Sequence, residues 1–480
     1  MRVSILPWGN PKDWKYVKYS FGSTCVEGFS TLSLITSSPD LRPDLVLIYV
    51  LDTLSEDVRD KDYRSLVSDA RNLVEKYLCV DDNSKIMVKV LPGIMRRWKG
   101  DLEILFKGDP GDIRLKLSYH TYCEVVENIE KVDLQSENDL LEILLDTTHG
   151  VNYFTILVRE AIFEASSMLA VHGKKVRVKV FNSDPLSMGP LSMDDLLKRS
   201  ESEPCRPKAD TRTIAVGRIP TTEYNLLYEV DVRPWDLTRY LRYSGGSVKK
   251  LLSDIRSCNL DQNYLNDLAT FSKNVVASYR VGALVELLTL TKERPNAVEE
   301  LARVIKSALE CWYAEAKIEK SDGNKYETKF TKLRDGLRLF LHTHSILSGV
   351  KKLINLQSPL TLREVMNARK RLLEGSEITN ALVDSEIGII KKLAKEDKIP
   401  EDWKTYAEIL KDREGYADIE DLESLKSSQE RMKRNFIAHA GFLKDFLELR
   451  KGGDVELRIR EECREAVNKI LGDIFRELTY

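Results

Sequence analysis

The sequence predicts an α/β domain followed by an all-α domain. Three observations carry this. Short apolar runs alternate with helical patterns up to about residue 184. A stretch rich in Ser, Pro and charge follows, from Asp184 to Arg212. Beyond Val248 the apolar residues fall at helical spacing. At 480 residues the chain is too long for one core, so two or three domains are expected.

The elements follow in chain order. Val3 to Leu6 is a short strand, ended by Pro7-Trp8-Gly9-Asn10-Pro11. Leu45 to Leu51 (LVLIYVL) is a continuous apolar run, the mark of a parallel strand buried on both faces. Glu56 to Leu78 reads as a helix capped by Ser55, and Ile86 to Leu91 as the next strand. Gly108-Asp109-Pro110-Gly111-Asp112 reads as a hairpin turn between strands. Leu140 to Leu145 is a strand, Tyr153 to Val171 an apolar helix, and Val176 to Phe181 a last strand. Together these predict a Rossmann-like, doubly wound sheet. The stretch Ile214 to Val232 has room for a pair of strands. Leu251, Leu252 and Ile255, then Val281, Leu284, Val285 and Leu288, mark helix faces in the second half. Ser244-Gly245-Gly246-Ser247 and Lys451-Gly452-Gly453 are turns, and Leu422 to Leu449 reads as one long helix. The expected boundaries are 1–184, 185–247 and 248–480.

Composition excludes several classes. A formal net charge of −2 gives no global attraction for nucleic acid, so any such contact is local. The seven cysteines are scattered and odd in number, which argues against a disulfide framework or a zinc site and for a reducing compartment. Met1 to Gly9 enters a strand pattern directly, so no signal peptide is expected. The longest apolar run is too short to span a bilayer. The expectation is a cytoplasmic protein with no membrane association. Zincin, P-loop and nucleophile-elbow motifs are absent, as is G-x-G-x-x-G. His342 and His344 lie two apart on a helix, on different faces, and read as structural.

Two motifs carry chemistry. Asp146-Thr147-Thr148-His149-Gly150-Val151-Asn152 ends a predicted parallel strand, where doubly wound sheets bind ligands. Thr147 and Thr148 offer hydroxyls, Gly150 permits close backbone approach, and Asn152 suits a base edge or sugar hydroxyl. The N-terminus of the next helix favours an anion. The same residues also fit a plain helix cap and a tight turn. Asn10 and Trp14 after the first strand, and Thr53 after the second, can converge on this edge. Trp14 fits base stacking or packing against the sheet edge.

The second motif is Arg434-Asn435-Phe436-Ile437-Ala438-His439. Residues five apart lie about 140° round a helix and about 7.5 Å along it, so one copy cannot close a compact dyad. Two copies about a twofold axis can line one cleft. RNA supplies its own nucleophile, the 2′-OH, so its cleavage needs no metal. His439 is the candidate acid/base, Arg434 the phosphate anchor and Asn435 an orienting group. A helix-surface Arg beside a partly buried His is the plain alternative.

The two motifs, in this order and context, resemble those of the CRISPR-associated CARF–HEPN ribonucleases of type III systems. The DTTHGVN turn matches the family's ligand motif in the Rossmann-like CARF sensor. Arg434-Asn435 and His439 match the Arg-x4-His motif of the helical HEPN domain. The resemblance implies a dimeric, metal-independent endoribonuclease for single-stranded RNA, activated by a cyclic oligoadenylate, usually cyclic tetra-adenylate. It implies activator contacts at Thr147, Thr148, His149, Gly150 and Asn152, with Asn10, Trp14 and Thr53 added from position. The segment from Asp184 to Ser247 and the long helical region before the Arg-x4-His helix depart from a simple two-domain layout; the resemblance implies a winged-helix-like connector or an assembly insertion there. A ligand-responsive regulator that binds nucleic acid through that connector is the competing expectation.

Overall fold

The computed structural model describes residues 1–59, 61–80, 85–131, 140–185, 200, 203–207, 219–243, 261–411 and 429–479. Most of the predicted connector, the Ser244–Ser247 turn and the helix face at Leu251, Leu252 and Ile255 lie outside the described residues. Two compact units emerge. One comprises Met1–Ser166, Lys174–Val232 and Trp312–Lys332; the other comprises Ser167–Gly173, Arg233–Cys311 and Leu333–Tyr480.

The first unit is built on strands β1 (Arg2–Pro7), β2 (Val17–Phe21), β3 (Thr24–Gly28), β4 (Leu45–Leu51), β5 (Ile86–Leu91), β6 (Ile94–Lys99), β7 (Leu102–Lys107), β8 (Leu140–Asp146), β9 (Lys175–Ser183) and β10 (Thr221–Val232). Its main sheet runs β3-β2-β10-β9-β8-β1-β4-β5. The five strands β9, β8, β1, β4 and β5 pair in parallel. All seven residues of β4 are buried, as its unbroken apolar run demands. The chain leaves β1 to form β4 on one side and β8 on the other, which opens a crevice at the carboxyl ends of these strands. The helices are α1 (Leu32–Ser37), α2 (Tyr63–Lys76), α3 (Pro110–Lys131) and α4 (Asn152–Val171).

Four local expectations change here. The helix after β4 starts at Tyr63 rather than Glu56, and its cap is Asp62, whose carboxylate accepts from the Ser65 N–H. Residues Asp52–Leu54 form a 3₁₀ turn instead. The Gly108–Asp112 stretch is no hairpin: β7 ends at Lys107 and α3 begins at Pro110. Asp109 caps that helix by accepting from the Gly111 N–H at 2.9 Å, and Pro110 fits a first-turn position where no N–H is needed. The true hairpin precedes it, β6 against β7, turning at Gly100 with φ +62°. Among the described residues of Ile214–Val232 there is one long strand, β10, antiparallel to β9.

The expectation against disulfides changes as well. Cys79 and Cys205, 126 residues apart, form a disulfide, and Cys311 is also disulfide-bonded.

A hairpin late in the chain, β11 (Lys317–Lys320) with β12 (Lys325–Lys329), pairs through β12 with β7. The second sheet of this unit is therefore β11-β12-β7-β6.

The second unit is helical, with α5 (Gln262–Val281), α6 (Leu284–Glu293), α7 (Ala297–Glu315), α8 (Arg334–Lys351), α9 (Leu362–Leu372), α10 (Glu377–Lys395), α11 (Tyr406–Lys411), α12 (Gln429–Ala438) and α13 (Arg464–Glu477). The last residues of α7 count with the first unit. A small sheet, β13 (Leu360–Thr361), β14 (Lys404–Thr405), β15 (Leu447–Lys451) and β16 (Val455–Ile459), has the order β13-β16-β15-β14. Lys451-Gly452-Gly453 is its hairpin turn, as expected. The single helix expected from Leu422 to Leu449 is not formed: among the described residues α12 ends at Ala438 and β15 begins at Leu447. His342 is buried with its Nδ1 2.8 Å from the Tyr243 hydroxyl, and burial pushes His344 down to about 4. Both fit the structural reading.

Candidate functional site

Two places collect the predicted residues. The first is a cleft of about 260 Å³ in the first unit, at the carboxyl ends of β1 and β4. Trp8, Gly9, Asn10 and Asp13 line it from the loop after β1, and Leu51, Thr53, Leu54 and Glu56 from the end of β4. Val151 closes one side, and Met95 and Arg97 reach it from β6. Strand alternation puts residues 95, 97 and 99 on one face of β6. Arg97 Nη1 donates to the carbonyls of Thr53 and Ser55, both at 3.0 Å, so the guanidinium is braced with donors in reserve. Glu56 at the rim pairs with Lys12, which holds its carboxyl below the usual range. Behind Thr53, buried Asp52 accepts from the Gly93 N–H at 2.7 Å and from the Tyr63 hydroxyl at 3.1 Å. Burial pushes its carboxyl up to about 7.

The expected activator contacts separate into two groups. Asn10 and Thr53 line the cleft. Asn10 also caps a 3₁₀ turn, and its amide donates to Asp13 at 2.8 Å. Trp14 packs instead, edge-on to Trp8 (4.8 Å between centroids) and against the His149 ring (4.3 Å). In the Asp146–Asn152 turn the hydroxyls face inward. Thr147 Oγ1 donates to the Phe181 carbonyl at 2.8 Å, and Thr148 Oγ1 accepts from the Ser183 N–H at 3.0 Å. Asp146 is buried, and burial raises its carboxyl although the Thr148 N–H and the Thr31 hydroxyl both donate to it. His149 Nε2 accepts from the Thr31 N–H at 3.3 Å, and its carbonyl accepts from the Gly9 N–H at 2.8 Å. This last bond ties the turn to the cleft-lining loop. A Cβ on Gly150 would lie 2.0 Å from Thr155 Oγ1 and 3.3 Å from the Pro7 carbonyl, so the turn packs where only glycine fits unshifted. Asn152 is exposed and opens α4.

The second place is the end of α12. Arg434 is exposed, with its side chain at 78%, and pairs with Glu430 one turn earlier at 3.6 Å. Asn435 is half-buried; its carbonyl accepts from the His439 N–H at 3.0 Å. His439 sits just past the last helical residue. A reversal follows it, with Ala440 at φ 47° and Gly441 at φ 83°. The Gly441 N–H donates to the Phe436 carbonyl at 2.8 Å, which satisfies one of the open carbonyls of the helix end. The ring is fixed by a residue the sequence did not nominate: His439 Nδ1 lies 2.9 Å from Glu386 Oε1, on α10. Glu386 is buried, while the His439 side chain is 43% exposed. The other carboxylate oxygen accepts from the Tyr406 hydroxyl at 3.4 Å. Within one chain Arg434 and His439 are thus engaged with different acids. Among the described residues no group of three or more His, Cys, Asp or Glu could hold a metal ion, and no helix is long and apolar enough to cross a membrane.

A Rossmann-like sensor with a crevice at its strand ends, and a helical domain carrying Arg-x4-His, define the two-part CARF–HEPN class. Two family models match: the CARF domain of the CRISPR system endoribonuclease Csx1 over residues 3–185, and the HEPN domain of the same family over residues 376–461. The chain belongs to the CRISPR-associated CARF–HEPN ribonucleases. A curated relative, the CRISPR system endoribonuclease Csx1 of Methanocaldococcus jannaschii, is 25% identical over 485 residues, covering 98% of this chain and 92% of its own. A solved structure, Enterococcus italicus Csm6 bound to cyclic hexa-2′-fluoro-hexa-dAMP, is matched over 100% of this chain and 99% of its own, at 13% identity and a TM-score of 0.24.

Proposed function

We propose that this protein cleaves single-stranded RNA without a metal and is switched on by a cyclic oligoadenylate, most simply cyclic tetra-adenylate, in type III CRISPR defence. One observation carries the reading. A sensor-type cleft and the Arg434–His439 element occur in one chain whose residues 3–185 and 376–461 match the corresponding family models. In this reading the sensor corresponds to the first unit, with β10 and the β11–β12 hairpin, and the nuclease to the second.

In the cleft, Arg97 meets a ring phosphate, and Asn10 and Thr53 meet sugar or base edges. The Asp146–Asn152 turn serves through its backbone and through Asn152; Thr147, Thr148 and His149 hold its shape. In the nuclease, His439 moves protons on the 2′-OH and the leaving 5′-oxygen, Arg434 steadies the charge on the five-coordinate phosphorus, and Asn435 orients the phosphate. Two copies bring two such sets together, which suits an activator ring of twofold symmetry. The ring must bind the active arrangement more tightly than the idle one, since only differential affinity shifts an equilibrium.

The test is digestion of matched RNA and DNA strands with a panel of cyclic oligoadenylates, in EDTA. RNA cleavage that depends on one ring size, with DNA intact, supports the reading; no cleavage with any ring overturns it. Arg97→Ala should raise the activating concentration by roughly 10- to 100-fold, the loss of a charge-assisted contact, while the maximal rate stays unchanged. An unaltered activation curve would remove Arg97 from the activator site.

A further inference from the structure

Resting on the ribonuclease reading above, we propose that Glu386 is the positioning residue of the nuclease: it fixes the His439 ring and leaves Nε2 as the nitrogen that meets RNA. The geometry comes first. Glu386 Oε1 and His439 Nδ1 are 2.9 Å apart, a full hydrogen bond. A carboxylate can only accept, so Nδ1 carries the proton in that bond. Nε2 is then the nitrogen with an open position. In the neutral ring it accepts a proton from the 2′-OH; once protonated, it donates to the leaving 5′-oxygen. The same carboxylate serves both halves of the reaction, because it also stabilises the imidazolium formed between them. No second proton transfer, to Glu386 itself, is required.

The placement of Glu386 argues against a casual surface contact. It lies on the inward face of α10, among buried Val383, Ile387 and Ile390. A carboxylate there carries a large desolvation cost, and an apolar residue of similar size would pack at least as well. Tyr406, itself fully buried, donates to the second oxygen and sets the carboxylate plane. The charged group paired with the ring is Glu386 from α10, while Arg434 is turned to Glu430. A buried acid holding one nitrogen of a 43% exposed imidazole is an arrangement that orients a ring for use at the surface.

The experiment measures activator-saturated RNA cleavage by the full chain for wild type, Glu386→Gln, Glu386→Asp, His439→Ala and the double variant His439→Ala/Glu386→Gln. Melting temperature and activator affinity are recorded for each. The expected result for Glu386→Gln is a kcat lower by roughly 10- to 100-fold, with KM and activator affinity unchanged, since the lost interaction strengthens only as the imidazolium forms. Glu386→Asp, which keeps the charge, should recover part of that loss. The double variant should be no slower than His439→Ala alone, because Glu386 acts only through His439. Wild-type kcat in a folded Glu386→Gln would overturn the proposal and leave the ribonuclease reading standing. A further loss in the double variant would also overturn it. Full cleavage by His439→Ala would instead sink the ribonuclease reading itself. Should Glu386→Gln melt early, the double variant compared with His439→Ala decides between these outcomes.

Discussion

His439→Ala should abolish activator-dependent RNA cleavage, by roughly 10²- to 10⁴-fold, the usual worth of a positioned acid/base. Activator binding should be unchanged, because the cleft lies among residues of the first unit and His439 belongs to the second. The truncation has a side effect that the structure makes explicit. Without its imidazole partner, the Glu386 carboxylate keeps the Tyr406 hydroxyl as its hydrogen-bond donor among the described residues. Such a stranded acceptor costs about 1–3 kcal/mol. His439→Ala should therefore melt slightly early, and adding Glu386→Gln should restore the melting temperature without restoring cleavage. That pairing separates chemistry from folding in one gel and one melting curve. Cleavage by His439→Ala above a tenth of the wild-type rate would contradict the assignment.

Gly441→Val should be the most destabilising single change near the site, by about 3–5 kcal/mol from backbone strain plus overpacking. Gly441 holds φ +83°, a conformation that β-branched residues avoid. A Cβ there would lie 2.7 Å from Ala283 Cβ and 3.0 Å from Ala283 Cα, so backbone rather than a flexible side chain would have to move. The same turn stops α12 and presents His439, so stability and cleavage should fall together. Denaturant unfolding measures the first and RNA digestion the second. A Gly441→Val protein within about 1 kcal/mol of wild type would remove the turn's role in placing His439.

The parallel core was legible because strands buried on both faces read as unbroken apolar runs, and LVLIYVL could fold as little else. The ends of elements were not. Ser55 looked like a cap because Val58 and Leu66 continue a helical pattern, yet the chain makes a 3₁₀ turn there and Asp62 caps the helix. Gly108–Asp112 has hairpin composition, but Asp109 followed by Pro110 equally starts a helix. The α12 helix contains no breaker before Gly441, so its stop at Ala438 was hidden in apolar residues that read as helix. β10 was partly visible as a strand, but its pairing with β9 joins residues 41 to 56 positions apart, beyond local pattern. The Cys79–Cys205 bridge failed for the same reason, since its 126-residue separation leaves no spacing signal.

Of the candidate site, Arg434 and His439 were visible as a motif, and Asn10 and Thr53 from strand-end position. Arg97 was not, because it enters from a hairpin outside the parallel sheet; its only trace is the Arg pair in IMRRWK. Glu386 lies 53 residues before His439. Its one local sign is an acid on the apolar stripe of a helix, between Val383 and Ile390. A buried charge on such a stripe requires a partner, and the sequence does not say which.

In the proposed mechanism the imidazole at the end of α12 drives attack by RNA's own 2′-OH. End-group analysis of RNA cut by the activated protein in EDTA tests it most directly. The predicted products carry a 2′,3′-cyclic phosphate and a 5′-OH. Products ending in a 3′-OH with a 5′-phosphate would contradict it.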